Sequence, residues 1–173
     1  MNRTIRIFGT VMLFVDHVSE VGGKISGYGI FILVFLITHD VIRRYIFNRP
    51  TSWGFEISEY LMLYVICLGL SYTQLEDRHV KVELLVTNLS QRVQTWLRLF
   101  AAIVGLVTSL LLTWKTGEAT YTAYVLHWKS NTQLLFPLFP IYIIMPFGFA
   151  LFALVFVSKI YHYIIIDKHN ISN

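Results

Sequence analysis

Two carboxylates one helical turn apart, Glu56 and Glu59, stand at the head of a long apolar run. An ionised group at membrane depth is costly unless it is paired, so such groups are default candidates for cation or proton chemistry. Their place in the first turn of a helix weakens that reading. There the positive end of the helix dipole favours carboxylates, and Arg43 or Arg49 in the preceding turn can meet them. Asp40 precedes Arg43 by three residues and Arg44 by four, so one carboxylate can face two guanidinium groups along a helix. Six histidines (His17, His39, His79, His127, His162 and His169) raise metal or haem ligation. No two share a helix at i, i+4 spacing, and no H-E-x-x-H occurs. A bis-histidine haem needs two rings at similar depth, whereas His39 and His162 close spans that end at opposite leaflets. Cys67, the lone cysteine, lies inside an apolar run with no histidine nearby in sequence. It therefore reads as a small hydrophobe. With no G-x-S-x-G either, the chain offers no nucleophile-and-base pair and no bound cofactor is expected; it reads as something other than an enzyme.

The elements that carry these residues belong in a bilayer. The chain has 173 residues, 55% of them hydrophobic and only 14% charged, with net charge +4. With a mean hydropathy of +0.61, it is too apolar for a soluble domain. Lysine and arginine in such a chain report orientation and headgroup contact, and no nucleic-acid partner is expected.

The fold expected is all-α: an integral membrane protein forming a single membrane domain. Residues 4–21 place Ile5, Phe8, Met12 and Val15 near one face, a pattern for an amphipathic helix lying in the interface. Gly22-Gly23-Lys24 is expected to break it. Spans follow over 25–47, 52–74, 95–114 and 138–161, each near the ~20 residues that a bilayer core requires. Thr51-Ser52 is positioned to cap the second span. On that span Glu56, Glu59 or Tyr60, Leu63, Cys67, Leu70 and Gln74 share a stripe that should face protein. Elsewhere on its surface Gly69 and Ser71 are small enough for close helix approach. Between spans two and three, about 76 to 98, a second interfacial segment alternates apolar and charged residues. The third helix can run on past Lys115 towards Tyr124, and Pro146 with Gly148 predicts a kink in the fourth span.

Four spans put both termini on one side. Nine of the lysines and arginines fall with the termini and the middle loop, and five (Arg43, Arg44, Arg49, Lys115 and Lys129) fall opposite. The bias favours cytoplasmic termini. The centres of the spans carry little polar chemistry beyond Tyr64, Thr108 and Ser109. A transporter that binds cargo itself places polar groups and broken helices at the midplane. The pattern therefore points to an accessory subunit packed against a larger partner and membrane lipids. A haem- or quinone-associated anchor of a redox enzyme is the alternative.

The stretch Asp40-x-x-Arg43-Arg44-Tyr45-x-Phe47-Asn48-x-Pro50-x-x-Trp53-x-x-Glu56-x-x-x-Tyr60 resembles the small membrane subunit of tripartite ATP-independent periplasmic (TRAP) transporters. The resemblance continues through Leu68-Gly69 and the exit His79-Val80-x-Val82-Glu83, then resumes at Pro137 and Pro146-Phe147-Gly148. Glu83 stands where the family pattern commonly has Asp, and Asp77-Arg78 replaces a Gly-containing approach to the histidine. The resemblance implies a large multi-span partner that carries sodium and substrate sites, and a periplasmic substrate-binding protein. The cargo would be an organic acid such as a C4-dicarboxylate or sialic acid, the latter favoured. It implies a scaffold in the bacterial inner membrane. Asp40, Arg43, Arg44, Arg49, Trp53, Glu56, Glu59, Tyr60, His79 and Glu83 would then serve assembly.

Overall fold

In a computed structural model the protein is helical throughout, and the structure describes residues 3–49, 51, 53–76, 91–132 and 134–170. Helix α1 runs Arg3–Tyr45, α2 Gly54–Leu75, α3 Gln91–Val125, α4 Phe139–Tyr142 and α5 Ile144–Asn170. Four segments within them are long and apolar enough to cross a membrane: Met12–Tyr45, Gly54–Leu75, Val93–Val125 and Phe139–Tyr161. This is a multi-pass membrane architecture.

The N-terminal segment departs from the sequence reading. Residues 4–21 do not form a separate interfacial helix; α1 continues without interruption through Gly22-Gly23-Lys24 for 43 residues. Those glycines serve packing. A Cβ on Gly23 would fall 2.7 Å from the Cβ of Tyr72, and one on Gly22 would fall 3.2 Å from the Leu68 carbonyl oxygen. They let α2 lie close along α1, and Ser26 Oγ donates to the Val65 carbonyl across the same seam at 2.7 Å. At 1.5 Å per residue α1 is about 64 Å long, twice the ~30 Å hydrocarbon core. The pairing of Gly23 with Tyr72 leaves residues before about 20 overhanging the C-terminal end of α2. The second interfacial segment lies mostly outside the described residues; 91–98 form the first turns of α3.

The helices pack as a row, α1 on α2, α2 on α5 and α5 on α3. Between α2 and α5 the closest approach is at Gly148, where a Cβ would lie 2.6 Å from the Cys67 carbonyl oxygen. Cys67, on the stripe expected to face protein, is buried there, and so is the small Ser71. Between α3 and α5, Ala102, Ser109, Val155 and Phe156 are buried. The fourth span is interrupted at Ile143, before Pro146 and Gly148. This is the break that Pro146 predicts: the proline has no N–H for the Tyr142 carbonyl, which accepts instead from the Thr120 hydroxyl of α3 at 3.1 Å. Gly148 answers to packing. Helix α3 does continue past Lys115 and Gly117 to Val125.

A row leaves two broad faces uncovered. The chain exposes 12743 Å², against roughly 8,700 Å² for a compact soluble protein of this mass. Phe31, Phe35, Phe100, Val107, Leu111 and Trp114 are among the large side chains left outside. A bilayer or a partner must cover them.

Candidate functional site

The end of the row where α1 finishes and α2 begins gathers most of the residues singled out by sequence. Helix α1 closes through Asn48, whose φ of 51° is a left-handed conformation that asparagine tolerates. That turn brings the Arg49 N–H to the Arg43 carbonyl at 3.1 Å. The chain then doubles back so that Thr51 meets Asp40. Both the backbone N–H and the hydroxyl of Thr51 donate to Asp40 Oδ1, the N–H at 3.2 Å. Arg44 donates to Asp40 Oδ2 at 2.8 Å. Asp40 is buried, and its carboxylate ties the end of α1 to the start of α2.

Two expectations are corrected here. Asp40 pairs with Arg44 alone, because the Arg43 side chain turns towards the loop and its Nε donates to the Arg49 carbonyl at 3.5 Å. Thr51 does not cap the second helix: its hydroxyl is committed to Asp40. The residue at the N-cap is Trp53, which makes no side-chain cap bond. Trp53 stacks beside His39, with ring centroids 6.3 Å apart.

Glu56 was expected to meet Arg43 or Arg49, and the structure gives it different partners. The Tyr60 hydroxyl donates to Oε1 and the Thr132 hydroxyl donates to Oε2. Glu56 is 2% exposed, so this carboxylate is held by hydroxyl donors inside the protein. Glu59, one turn on, is exposed. The two carboxylates therefore do different things. Both Asp40 and Glu56 are held by fixed donors, which makes them joints between elements.

Thr132 belongs to a compact hairpin between α3 and α4. Its rungs are Ser130 N–H to Phe136 O at 2.9 Å and Leu138 N–H to Trp128 O at 2.9 Å, with Lys129 opposite Pro137. Ser130 and Thr132 hydroxyls lie 2.6 Å apart. Phe136 packs on Tyr60, and Tyr64 donates its hydroxyl to the Pro140 carbonyl. Sequence reasoning assigned no role to Ser130 or Thr132, and gave Thr51 a capping role that it does not fill. One signal could have found them: with four spans, the 127–138 loop shares a membrane face with the head of α2, and it is rich in hydroxyls.

Helix α3 ends with the Trp128 N–H on Ala123 O at 3.0 Å and the His127 N–H on Tyr124 O at 3.3 Å. This is a Schellman motif, with His127 at the left-handed position and φ of 51°. The His127 ring nitrogen Nδ1 also lies 2.9 Å from Tyr124 O. Its geometry accounts for it as a helix terminator. His79 and Glu83 lie outside the described residues. Among the described residues no three His, Cys, Asp or Glu side chains are grouped to hold a metal ion.

Away from this end, hydroxyls inside the spans bond to backbone. Ser109 donates to Leu106 O at 2.8 Å, Thr113 to Ser109 O at 2.7 Å and Thr73 to Gly69 O at 2.9 Å. Among the described residues, the buried side-chain polar atoms without a partner are Asp16 Oδ1 and Ser19 Oγ, both on α1.

No curated protein sequence matches the chain. The family described as "Tripartite ATP-independent periplasmic transporters, DctQ component" matches residues 33–164, from the middle of α1 through most of α5. That is more than half of the chain and includes both carboxylate joints. The chain therefore belongs to the DctQ family, the small membrane component of TRAP transporters, and it is a non-enzymatic transporter subunit.

Proposed function

We propose that this subunit is the fixed scaffold of a sodium-coupled importer of an organic acid. In the family generally, the small component works with a large membrane subunit, DctM, and a periplasmic binding protein. The observation that carries the scaffold reading is the state of the polar groups. Asp40 and Glu56 are consumed in joints between elements, and the Ser109, Thr113 and Thr73 hydroxyls are bonded to backbone, with Asp16 and Ser19 near the start of the first span the exceptions among the described residues. The interior keeps little with which to bind a carboxylate cargo or its ions, while the broad apolar faces of the row suit a large partner on one side and lipid on the other.

The chain sits in the bacterial inner membrane with both termini cytoplasmic, on the strength of its lysine and arginine bias. The end carrying Arg43, Arg49, Trp53 and the 127–138 hairpin then faces the periplasm, where the binding protein delivers its cargo. Asp40, Arg44, Glu56 and Tyr60 shape that end, and the exposed Arg43, Arg49 and Glu59 lie where a partner can reach them. The cargo is an organic acid, with sialic acid the first to test and C4-dicarboxylates the second.

Purification in mild detergent from native membranes tests the reading. A large many-span protein should co-elute with the subunit, without pigment. A haem absorption band or a flavoprotein partner would instead establish the redox-anchor alternative.

A further inference from the structure

The hairpin between α3 and α4 carries a strained leucine near its tip. The Leu135 N–H closes the turn on the Thr132 carbonyl at 3.2 Å, and Leu135 itself holds a φ of 45°. That is left-handed backbone, where glycine sits at no steric cost and a bulky side chain is out of place. Leu135 is nonetheless 60% exposed, with Leu134 before it and Phe136 after it exposed as well. Consecutive apolar side chains on the outside of a loop call for a cover. Depth identifies it. Helix α2 has 22 residues and is about 33 Å long, little more than the ~30 Å hydrocarbon core. Tyr60, on which Phe136 packs, lies about 9 Å along α2 from Gly54. Thr132 meets Glu56, and the Pro140 carbonyl meets Tyr64, on the same helix. The hairpin therefore lies beside the outer turns of a span, at the boundary between headgroups and acyl chains. Residues 128–138 contain no carboxylate, and their one ionised side chain is Lys129. Trp128 and Lys129, both exposed, are residue types that anchor a segment at that boundary.

We propose that this hairpin is a membrane anchor: the Leu134 and Leu135 side chains insert among the upper acyl chains of the leaflet at the head of α2, with Lys129 reaching the lipid phosphates. Burial of the leucines in lipid offsets the strained backbone at Leu135. Thr132 on Glu56 and Phe136 on Tyr60 fix the tip at that depth. The inference rests on the membrane architecture and holds for either orientation of the chain and for any cargo.

The test is electron paramagnetic resonance of the full-length protein in vesicles of phosphatidylethanolamine and phosphatidylglycerol. In a Cys67→Ala background, Leu134→Cys and Leu135→Cys each carry a nitroxide label; both positions are exposed, so little packing is lost. Collisions with oxygen, which concentrates in the bilayer, should exceed those with a water-soluble nickel chelate. The ratio should place both labels about 5–10 Å below the lipid phosphates. Leu135→Asn suits the left-handed backbone but removes the apolar side chain. In that variant the label at position 134 should move towards water. The same pattern should persist in the complex with the large partner. An excess of nickel collisions at both positions, a depth at position 134 unchanged by Leu135→Asn, or loss of both kinds of collision in the complex would overturn the proposal. The last outcome would give the tip to a protein partner.

Discussion

Thr132 donates its hydroxyl to Glu56 across 76 positions of sequence. The bond joins the first turn of α2 to the hairpin between α3 and α4. It makes one end of the row a single unit even though α1 and α3 stand at opposite edges. A second carboxylate, Asp40, does the same for the turn between α1 and α2.

The Glu56 joint should behave as a coupled pair. Thr132→Val removes one donor and should cost about 1–2 kcal/mol. Glu56→Ala should cost more, because it also leaves the Tyr60 and Thr132 hydroxyls without their acceptor. The double variant should be less destabilised than the sum of the two singles. Thermal unfolding in detergent measures all three, and strict additivity would show that the two residues are not energetically joined.

Glycines should divide by what faces them. Gly148→Ala drives a methyl against the Cys67 backbone and should destabilise by about 1–3 kcal/mol. Gly23→Ala, against Tyr72, should do likewise. Gly27 and Gly117 have open space where a Cβ would go. Alanine there should leave stability unchanged or raise it by up to about 1 kcal/mol through helix propensity. Melting temperatures of the four variants decide this. Equal loss at all four would mean that a partner already occupies the open positions.

His127 holds a left-handed position that glycine occupies without steric cost. His127→Gly should therefore stabilise the end of α3 by up to about 1 kcal/mol, less whatever the ring contributes at Tyr124 O. Transport should be unaffected. Loss of transport with the fold intact would assign the imidazole a chemical role.

Much of this arrangement was legible in residue spacing. Four apolar stretches became four candidate spans, and of the α2 stripe Glu56 and Cys67 are buried while Glu59 is exposed. The misreadings share a cause. Gly22-Gly23 reads as local punctuation and Gly148 as part of a kink, whereas all three glycines answer to neighbouring helices; the break expected from Pro146 is present at Ile143. A helix supported on one side by α2 tolerates glycines that would interrupt it alone. The partners of Asp40 and Glu56 were misassigned for a related reason. Charge pairing along a helix can be read from sequence, but hydroxyl donors such as Thr51 and Thr132 arrive through chain reversals and distant loops. Sequence spacing does not encode those approaches.

The orientation of the row can be measured directly. Arg49 is exposed in the turn after α1. In an otherwise cysteine-free background, with Cys67 replaced by Ala, Arg49→Cys should react with a membrane-impermeant maleimide added outside spheroplasts. Protection until the cells are lysed would reverse the topology and place the basic end in the cytoplasm.

Substrate preference separates a scaffold from a participant. Arg44→Ala removes the cation from Asp40, leaving a buried carboxylate with Thr51 alone, and Glu56→Ala opens the hairpin joint. Both changes loosen the end of the row that the family places in a multi-subunit transporter. Both should lower the amount of assembled complex and the uptake rate in proteoliposomes. In the intact protein the Arg44 guanidinium is tied to Asp40, and Glu56 is held by fixed hydroxyl donors. The ratio of uptake rates for two competing organic acids should therefore stay constant while the total falls. A shift in that ratio with normal assembly would place one of these side chains on the substrate path, and the scaffold reading would fail.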